Sequence, residues 1–216
     1  MREAPILVTK IYEGAEAERR LLELGPSMQI LEEIILKGEY ARAEHTRHDP
    51  VNAGGIDAYR YRVRGLRDAL CPFNWTIDRT GSLEGTRSPD GMHNILTRAG
   101  NEDVGRREGF PQPSSHVGDS TRDAVGNGAM FLDPNWLNTP ATKIANDSTA
   151  TTWLLLVYRD VDIVRAELSS LNELDSAGQV KAWTERILVP DINMSDLSAQ
   201  IDETPIPVDV PLPRKR

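Results

Sequence analysis

The sequence predicts an α+β fold in which N-terminal helices pack on a mixed or antiparallel sheet centred on a hairpin over residues 153–168. Residues 153–158 (Trp-Leu-Leu-Leu-Val-Tyr) are the longest unbroken apolar run, which is typical of a strand buried on both faces. After a polar turn, residues 163–168 alternate between apolar and polar side chains, as the second strand of a hairpin does. Apolar residues spaced three and four apart recur before residue 70, so helices are expected to precede the sheet.

Three helices are predicted from their periodicity and from the residues at their ends. Residues 15–24 are rich in helix formers and are followed by a Gly-Pro pair that ends a helix. Ser27 is a good N-cap for a longer helix over residues 28–44, although the glycine inside it weakens that helix. Asp57 is expected to cap a third helix, which Pro72 ends.

The remaining elements are expected to be short. Residues 5–8, 73–77, 94–97 and 187–189 are predicted strands, and residues 178–186 are a predicted helix. The second and third of these strands are separated by a turn-rich segment, because it contains two glycines and the turn sequence Ser-Pro-Asp-Gly.

One globular domain is expected over residues 1–203, followed by a tail. Residues 98–127 are rich in Gly, Pro, Ser and charge, which predicts a long loop or an insert within that domain. Residues 204–216 carry several prolines at alternate positions and end in Arg-Lys-Arg, which predicts an extended, basic, Pro-rich tail.

The amino-acid composition disfavours nucleic-acid binding by bulk charge, a disulfide framework and a membrane span. The formal net charge of −8 disfavours nucleic-acid binding by bulk charge, although residues 40–80 hold seven arginines against five acids. The single cysteine, Cys71, excludes an intrachain disulfide framework and suits a reducing compartment. No segment approaches the roughly 18 apolar residues of a membrane span, so we expect a soluble cytoplasmic protein without membrane contact.

Glu167, on the polar face of the second hairpin strand, is the first candidate for metal chemistry. Many nucleases hold Mg²⁺ or Mn²⁺ between an acid of a central hairpin and a second acid, and the metal-bound water attacks a phosphodiester. Asp147 is the expected second metal ligand. The predicted catalytic acids are Glu167, Asp160 and Asp162. The pattern is incomplete because Ser169 stands where such nucleases carry a lysine, and the alternative is a solvated Glu167 on a half-exposed strand.

A row of arginines on the third predicted helix is the candidate nucleic-acid contact. Arg60, Arg64 and Arg67 recur at i, i+4 and i+7 and therefore share one stripe, suited to phosphates of DNA or RNA. Tyr59 and Tyr61 interleave with them as stacking surfaces. The alternative is a solvated helix face whose arginines pair with surplus acids.

Two histidines near the end of the second predicted helix form a weaker metal candidate. His45 and His48 are three residues apart and Asp49 follows, so two imidazoles and a carboxylate are within reach of one ion. The alternative is that the histidines complement the negative end of the helix dipole.

These features support two hypotheses about function. The first is a nucleic-acid-acting protein, a nuclease-like hydrolase that uses a divalent metal. The second is a non-catalytic protein-binding or assembly module, in which the long loop and the Pro-rich tail contact a partner protein or a second copy of the chain.

Overall fold

A computed structural model describes residues 8–79, 84–114, 150–175 and 178–195. Within them, three helices pack against a seven-stranded mixed sheet, which confirms the predicted α+β fold. The helices are α1 (Gly14–Leu24), α2 (Met28–Ala43) and α3 (Ala53–Leu70), and a 3₁₀ turn follows at Cys71–Phe73. The strands are β1 (Lys10–Tyr12), β2 (Thr76–Asp78), β3 (Gly85–Arg87), β4 (His93–Ala99), β5 (Thr151–Arg159), β6 (Ile163–Leu174) and β7 (Val180–Asn193).

The predicted hairpin lies in the middle of the sheet. The strand order is β1-β7-β6-β5-β4-β3-β2, with β5 at the centre. Strand β5 pairs antiparallel with β6, and Leu155 lies opposite Leu168. The pairs β1–β7 and β4–β5 are parallel, and the other neighbours are antiparallel.

The main core lies between the sheet and the helices. Trp153, Leu155 and Leu168 point to this side and are buried together with Leu21 of α1 and Ile34 of α2. Because successive strand residues face opposite sides, the apolar residues between them belong to a separate, smaller core on the second face.

The second face of the hairpin is buried as well, which corrects the expectation of a polar, half-exposed face. Leu154, Leu156 and Trp183 form a cluster there with Val104. Val104 belongs to residues 100–114, which lie over this face and shield it from solvent. The polar residues of β6 are therefore enclosed, and Glu167 is 0% exposed.

Residues 100–114 form a closed loop, and they are the described part of the predicted loop or insert after the end of β4. Gly100 bridges to Pro113, and the backbone N–H of Asn101 donates to the carbonyl of Gln112 at 2.9 Å. The ends of the loop are therefore close together. The rest of the predicted insert and the Pro-rich tail over 204–216 lie outside the described residues.

The second helix is continuous despite its internal glycine. The Ser27 hydroxyl accepts a hydrogen bond from the N–H of Ile30 at 3.3 Å, which confirms the predicted N-cap. A Cβ at Gly38 would lie 2.6 Å from Cγ of Arg62 on α3. The glycine therefore allows α2 and α3 to approach closely, and it does not end the helix.

Two sequence-based expectations about secondary structure are wrong. Helix α3 begins at Ala53, before Asp57, whose side chain contacts His45 at 2.9 Å and does not cap the helix. The predicted helix over 178–186 belongs to strand β7, which pairs with β6 along its length. Register shifts in the β6–β7 pairing interrupt the two-residue alternation, so Val180 and Trp183 show a helix-like spacing of three.

Candidate functional site

Glu167 is buried, and both oxygens of its carboxylate accept hydrogen bonds from the protein. Oε1 accepts hydrogen bonds from Nε of Arg186 at 2.9 Å and from the Ser169 hydroxyl at 2.5 Å. Oε2 accepts from Nη2 of Arg186 at 2.6 Å and from the N–H of Gly105 at 2.9 Å. A carboxylate offers about four acceptor sites, so these four bonds saturate it and leave no lone pair for a metal. The alternative of a solvated Glu167 is wrong.

The guanidinium of Arg186 is saturated in the same way. Besides its two bonds to Glu167, Nη1 donates to the carbonyls of Gly109 at 2.6 Å and Arg107 at 3.5 Å, and Nη2 donates to that of Arg106 at 2.9 Å. A guanidinium has about five N–H donors, and all are used. The ion pair therefore attaches the loop over 100–114 to the second face of the sheet.

The other predicted carboxylates do not join Glu167. Asp160 and Asp162 lie in the exposed β5–β6 turn, where the Asp160 side chain accepts from the N–H of Val161 at 2.8 Å. Glu167 pairs with Leu156, four residues before Asp160, which is roughly 13 Å at the rise of a strand. Asp147 lies outside the described residues. Among those that are described, no group of three or more His, Cys, Asp or Glu is placed to hold a metal.

The arginines of α3 each have an acidic partner. The ion pairs are Arg60–Asp57 at 2.6 Å, Arg64–Asp68 at 3.6 Å and Arg67–Glu84. Arg60 and Arg64 are mostly exposed, whereas Arg67 is largely buried. Because each positive charge has a carboxylate beside it, the stripe is close to neutral and its attraction for phosphates is weak.

The two histidines after α2 do not form a pair. Nε2 of His45 lies 2.9 Å from Asp57, and Nδ1 lies 3.7 Å from Asp49. His48 is exposed and accepts a hydrogen bond from Arg47 at 3.4 Å. His45 therefore links the end of α2 to α3.

A polar cleft lies at the end of the sheet where β5 begins. Its volume is about 340 Å³. The polar side chains that line it come from α1 and four neighbouring strands and include Arg20, His93, Thr152, Ser170, Asn172 and Glu185. Sequence reasoning missed this site because its residues are distributed over five segments and share no local motif.

One wall of the cleft is a fixed ion pair. Nε and Nη2 of Arg20 donate to the two carboxylate oxygens of Glu185 at 2.7 and 3.1 Å. The hydrogen bond to Glu185 raises the pKa of Arg20 further above its ordinary value. The guanidinium also lies over the Trp153 ring, 5.9 Å from its centroid. Nη1 of Arg20 also donates to Glu23 at 2.8 Å, so these contacts fix the guanidinium between two carboxylates at the wall of the cleft.

The floor of the cleft includes the imidazole of His93. The indole N–H of Trp153 donates to Nδ1 of His93 at 3.2 Å, which places the proton of a neutral imidazole on Nε2. Burial lowers the pKa of His93 and therefore favours this neutral form. The Thr152 hydroxyl is buried and has no hydrogen-bond partner within the described residues. A ligand with an acceptor group can satisfy the Nε2 proton, whereas the Thr152 oxygen is enclosed by the protein.

Comparisons with known proteins do not identify the chain. No protein-family model matches it, and no significant similarity to a curated protein or to a solved structure was found. None of the helices within the described ranges has the length and apolar character that crossing a membrane requires.

Proposed function

We propose that this chain is a non-catalytic binding module and that the cleft at the start of β5 is its ligand site. The observation that carries the proposal is the set of polar side chains that converge on this cleft, with the fixed Arg20–Glu185 pair on its wall and the Nε2 proton of His93 on its floor. A concave site with a few convergent polar groups is the usual form of a ligand site.

The lining indicates a polar peptide segment of a partner protein. The ion pair offers both signs of charge, and His93, Ser170 and Asn172 add hydrogen-bonding groups to the lining. A peptide backbone carries donors and acceptors in alternation, which suits such a mixed lining. A cleft of about 340 Å³ lies at the small end of ligand sites, so it accommodates only a few residues of the partner.

The hypothesis of a metal-dependent phosphodiesterase stays a prediction. It requires two changes around Glu167 that the binding-module proposal does not require. A Mg²⁺ or Mn²⁺ ion at Glu167 has to displace Arg186 or the N–H of Gly105 from the carboxylate. It also needs a second acid, and the described acids of the β5–β6 turn are too distant. A role for Glu167 in holding the loop over 100–114 needs neither change.

A cytoplasmic location and a nucleic-acid partner also stay predictions. The lone thiol of Cys71 is consistent with a reducing compartment. DNA or RNA binding through the arginines of α3 needs those arginines to exchange their carboxylate partners for phosphates.

The cleft can be tested by NMR titration with pooled polar tripeptides. The indole N–H signals of Trp75, Trp153 and Trp183, assigned with Trp→Phe variants, report on three separate places in the structure. We expect at least one pool to shift the Trp153 signal while the other two stay in place. Millimolar pools that leave the Trp153 signal unchanged would refute the cleft as a peptide site.

A pair of histidine variants provides the matched control. His93→Phe removes the Nε2 proton from the cleft, whereas His48→Phe replaces an exposed histidine that does not line it. We expect the first variant to weaken tripeptide binding and the second to leave it unchanged. Equal losses in both variants would assign the effect to a general change in the protein and not to the cleft.

A further inference from the structure

A second charged cluster lies at the other end of β5, where three arginines surround one buried glutamate. Glu39 of α2 is 1% exposed. Its Oε1 accepts from Nη1 of Arg62 at 3.3 Å, and its Oε2 accepts from Nη1 of Arg159 at 3.0 Å. Nε of Arg42 lies 3.2 Å from the same Oε2. Two helices and the end of a central strand thus bring three guanidinium groups to one carboxylate.

The charges of this cluster do not balance. Three guanidinium groups and one carboxylate leave a net charge of +2. Within the described residues, Arg42, Arg62 and Arg159 form no ion pair with a second acid. The nearby Asp57 is already paired with His45 and Arg60. The excess of positive charge is therefore a property of the cluster itself.

The buried part of the cluster also lacks hydrogen bonds. Nε of Arg62 and Nε of Arg42 are both buried without an acceptor. The Arg42 atom is close to Glu39 but is not aligned to donate to it, so the contact is an ion pair without a hydrogen bond. Burial lowers the pKa of Arg62 to about 10, and repulsion from Arg42 acts in the same direction.

The outer part of the cluster is accessible to a ligand. The side chains of Arg42 and Arg159 are 31% and 34% exposed, whereas that of Arg62 is 2% exposed. Two of the three guanidinium groups are thus partly accessible, and the third is enclosed. Guanidinium groups bind oxyanions through paired N–H donors, and the binding is stronger where water is partly excluded.

We propose that Arg42, Arg62 and Arg159 form a binding site for a dianionic phosphate group, with Glu39 as the residue that positions them. A phosphate monoester carries a charge of about −1.5 to −2 at neutral pH, which compensates the excess of +2. A phosphodiester of a nucleic-acid backbone carries a single negative charge per phosphate and compensates only half of it. The ligand class is therefore inorganic phosphate or a phosphomonoester.

This site is independent of the cleft. Arg159 ends β5 and Thr151 begins it, and eight residue steps of a strand span roughly 26 Å. A ligand in one site does not touch the other, so the two proposals can fail separately.

Calorimetric titration with three probes at pH 8 and constant ionic strength tests the ligand class. We expect inorganic phosphate and phenyl phosphate to bind and dimethyl phosphate, which is a monoanion, to show no binding. Tighter binding of phenyl phosphate would indicate an esterified ligand, and equal or weaker binding would indicate free phosphate. Absence of binding by both dianions at 10 mM, or equal binding by dimethyl phosphate, would overturn the proposal.

Arginine variants test the residues. Arg42→Gln and Arg159→Gln each remove a partly exposed arm and should weaken phosphate binding at least tenfold. Arg64→Gln, on the exposed side of α3, is the matched control and should leave it unchanged. If the control weakens binding as much as the other two variants, the effect is one of overall charge, and the assignment to this cluster is wrong.

Glu39→Gln separates a positioning role from a structural one. It raises the net charge of the cluster from +2 to +3 and releases the arginines from their shared carboxylate, so we expect a lower melting temperature in phosphate-free buffer and a smaller rise on addition of phosphate than the parent shows. A variant whose loss of melting temperature is the same with and without phosphate would contradict the positioning role.

Discussion

A buried ion pair is stable only while both partners are present, because removal of one leaves the other charged and away from water. Glu167 and Arg186 depend on each other in this way. Every acceptor site of the Glu167 carboxylate and every N–H donor of the Arg186 guanidinium is used. The pair also orders a loop that has little apolar content of its own. The ion pair therefore fixes the position of this loop on the second face of the sheet, in addition to stabilising the fold.

Glu167→Gln should lower the free energy of unfolding by about 3–5 kcal/mol, because Arg186 then stays buried without a counter-charge. The measurement is a urea denaturation curve, with the exposed Asp160→Asn as a control that should stay within about 0.5 kcal/mol. We also expect no change in the melting temperature of the parent with Mg²⁺ or Mn²⁺. A parent stabilised by these ions, together with a fully stable Glu167→Gln, would instead favour the metal hypothesis.

Stability should decrease in mild acid because of His93. Burial lowers the pKa of this histidine below its ordinary 6.5, so the unfolded chain binds the proton more readily than the folded one. Its contribution is complete above about pH 6.5 and is lost as the pH falls below that value. Protonation of Nδ1 also removes the acceptor for the Trp153 indole.

The check is the urea midpoint at about pH 7.5 and pH 5.5 for the parent and for His93→Gln. The decrease between the two pH values should be smaller in the variant. The exposed His48→Gln serves as the control and should behave like the parent. Identical pH dependence in all three proteins would mean that His93 does not titrate differently on folding.

The candidate sites illustrate what a single sequence reveals about individual residues. Glu167 could be selected from its position among apolar neighbours, but its partner Arg186 could not, because that residue lay in a segment with a helix-like pattern. The cleft and the Glu39 cluster were not predicted because each collects residues from several elements. Their members are adjacent only after the sheet has formed, and no local spacing records this.

The central hairpin should dominate stability among the elements. Leu155 is fully buried between β5 and the helices, so Leu155→Ala should cost about 2–5 kcal/mol. Leu22 of α1 is 66% exposed, and Leu22→Ala is the control that should change stability by no more than about 0.5 kcal/mol. Similar urea midpoints for the two variants would place the core elsewhere.

The elements were predictable where local pattern and tertiary burial agree. Helices α1 and α2 and the β5–β6 hairpin follow directly from apolar spacing and from the Ser27 cap. The exceptions have physical causes. Strand β7 is irregular because its pairing with β6 shifts register. Strand β3 lies in the segment predicted as turn-rich, because its three residues depend on pairing with both neighbours and carry no strand pattern of their own.

The distribution of charge over the molecule argues against a general affinity for nucleic acids. The chain is acidic, and Arg60, Arg64 and Arg67 of α3 are each paired with an acid. We therefore expect that labelled duplex DNA and RNA show no measurable binding in fluorescence anisotropy at about 0.15 M salt.

Replacing Arg60, Arg64 and Arg67 together by Gln should for the same reason change no polymer affinity. Tight binding by the parent that the triple variant loses would restore the arginine stripe as a nucleic-acid interface. A loss confined to Arg42→Gln and Arg159→Gln would point to the Glu39 cluster instead.

The parallel pairing of β1 with β7 has a consequence for synthesis of the chain. The Thr9 hydroxyl donates to the carbonyl of Trp183, 174 positions later, and Lys10 lies opposite Glu185. The three helices leave the ribosome before strands β2 to β7, yet the strands that cover their apolar faces are among the last described residues to emerge. Contacts between such distant positions form slowly, and early apolar segments are prone to aggregate until they are covered. Co-translational folding therefore cannot complete the sheet before β7 has left the exit tunnel, and a chain stalled earlier is a substrate for chaperones.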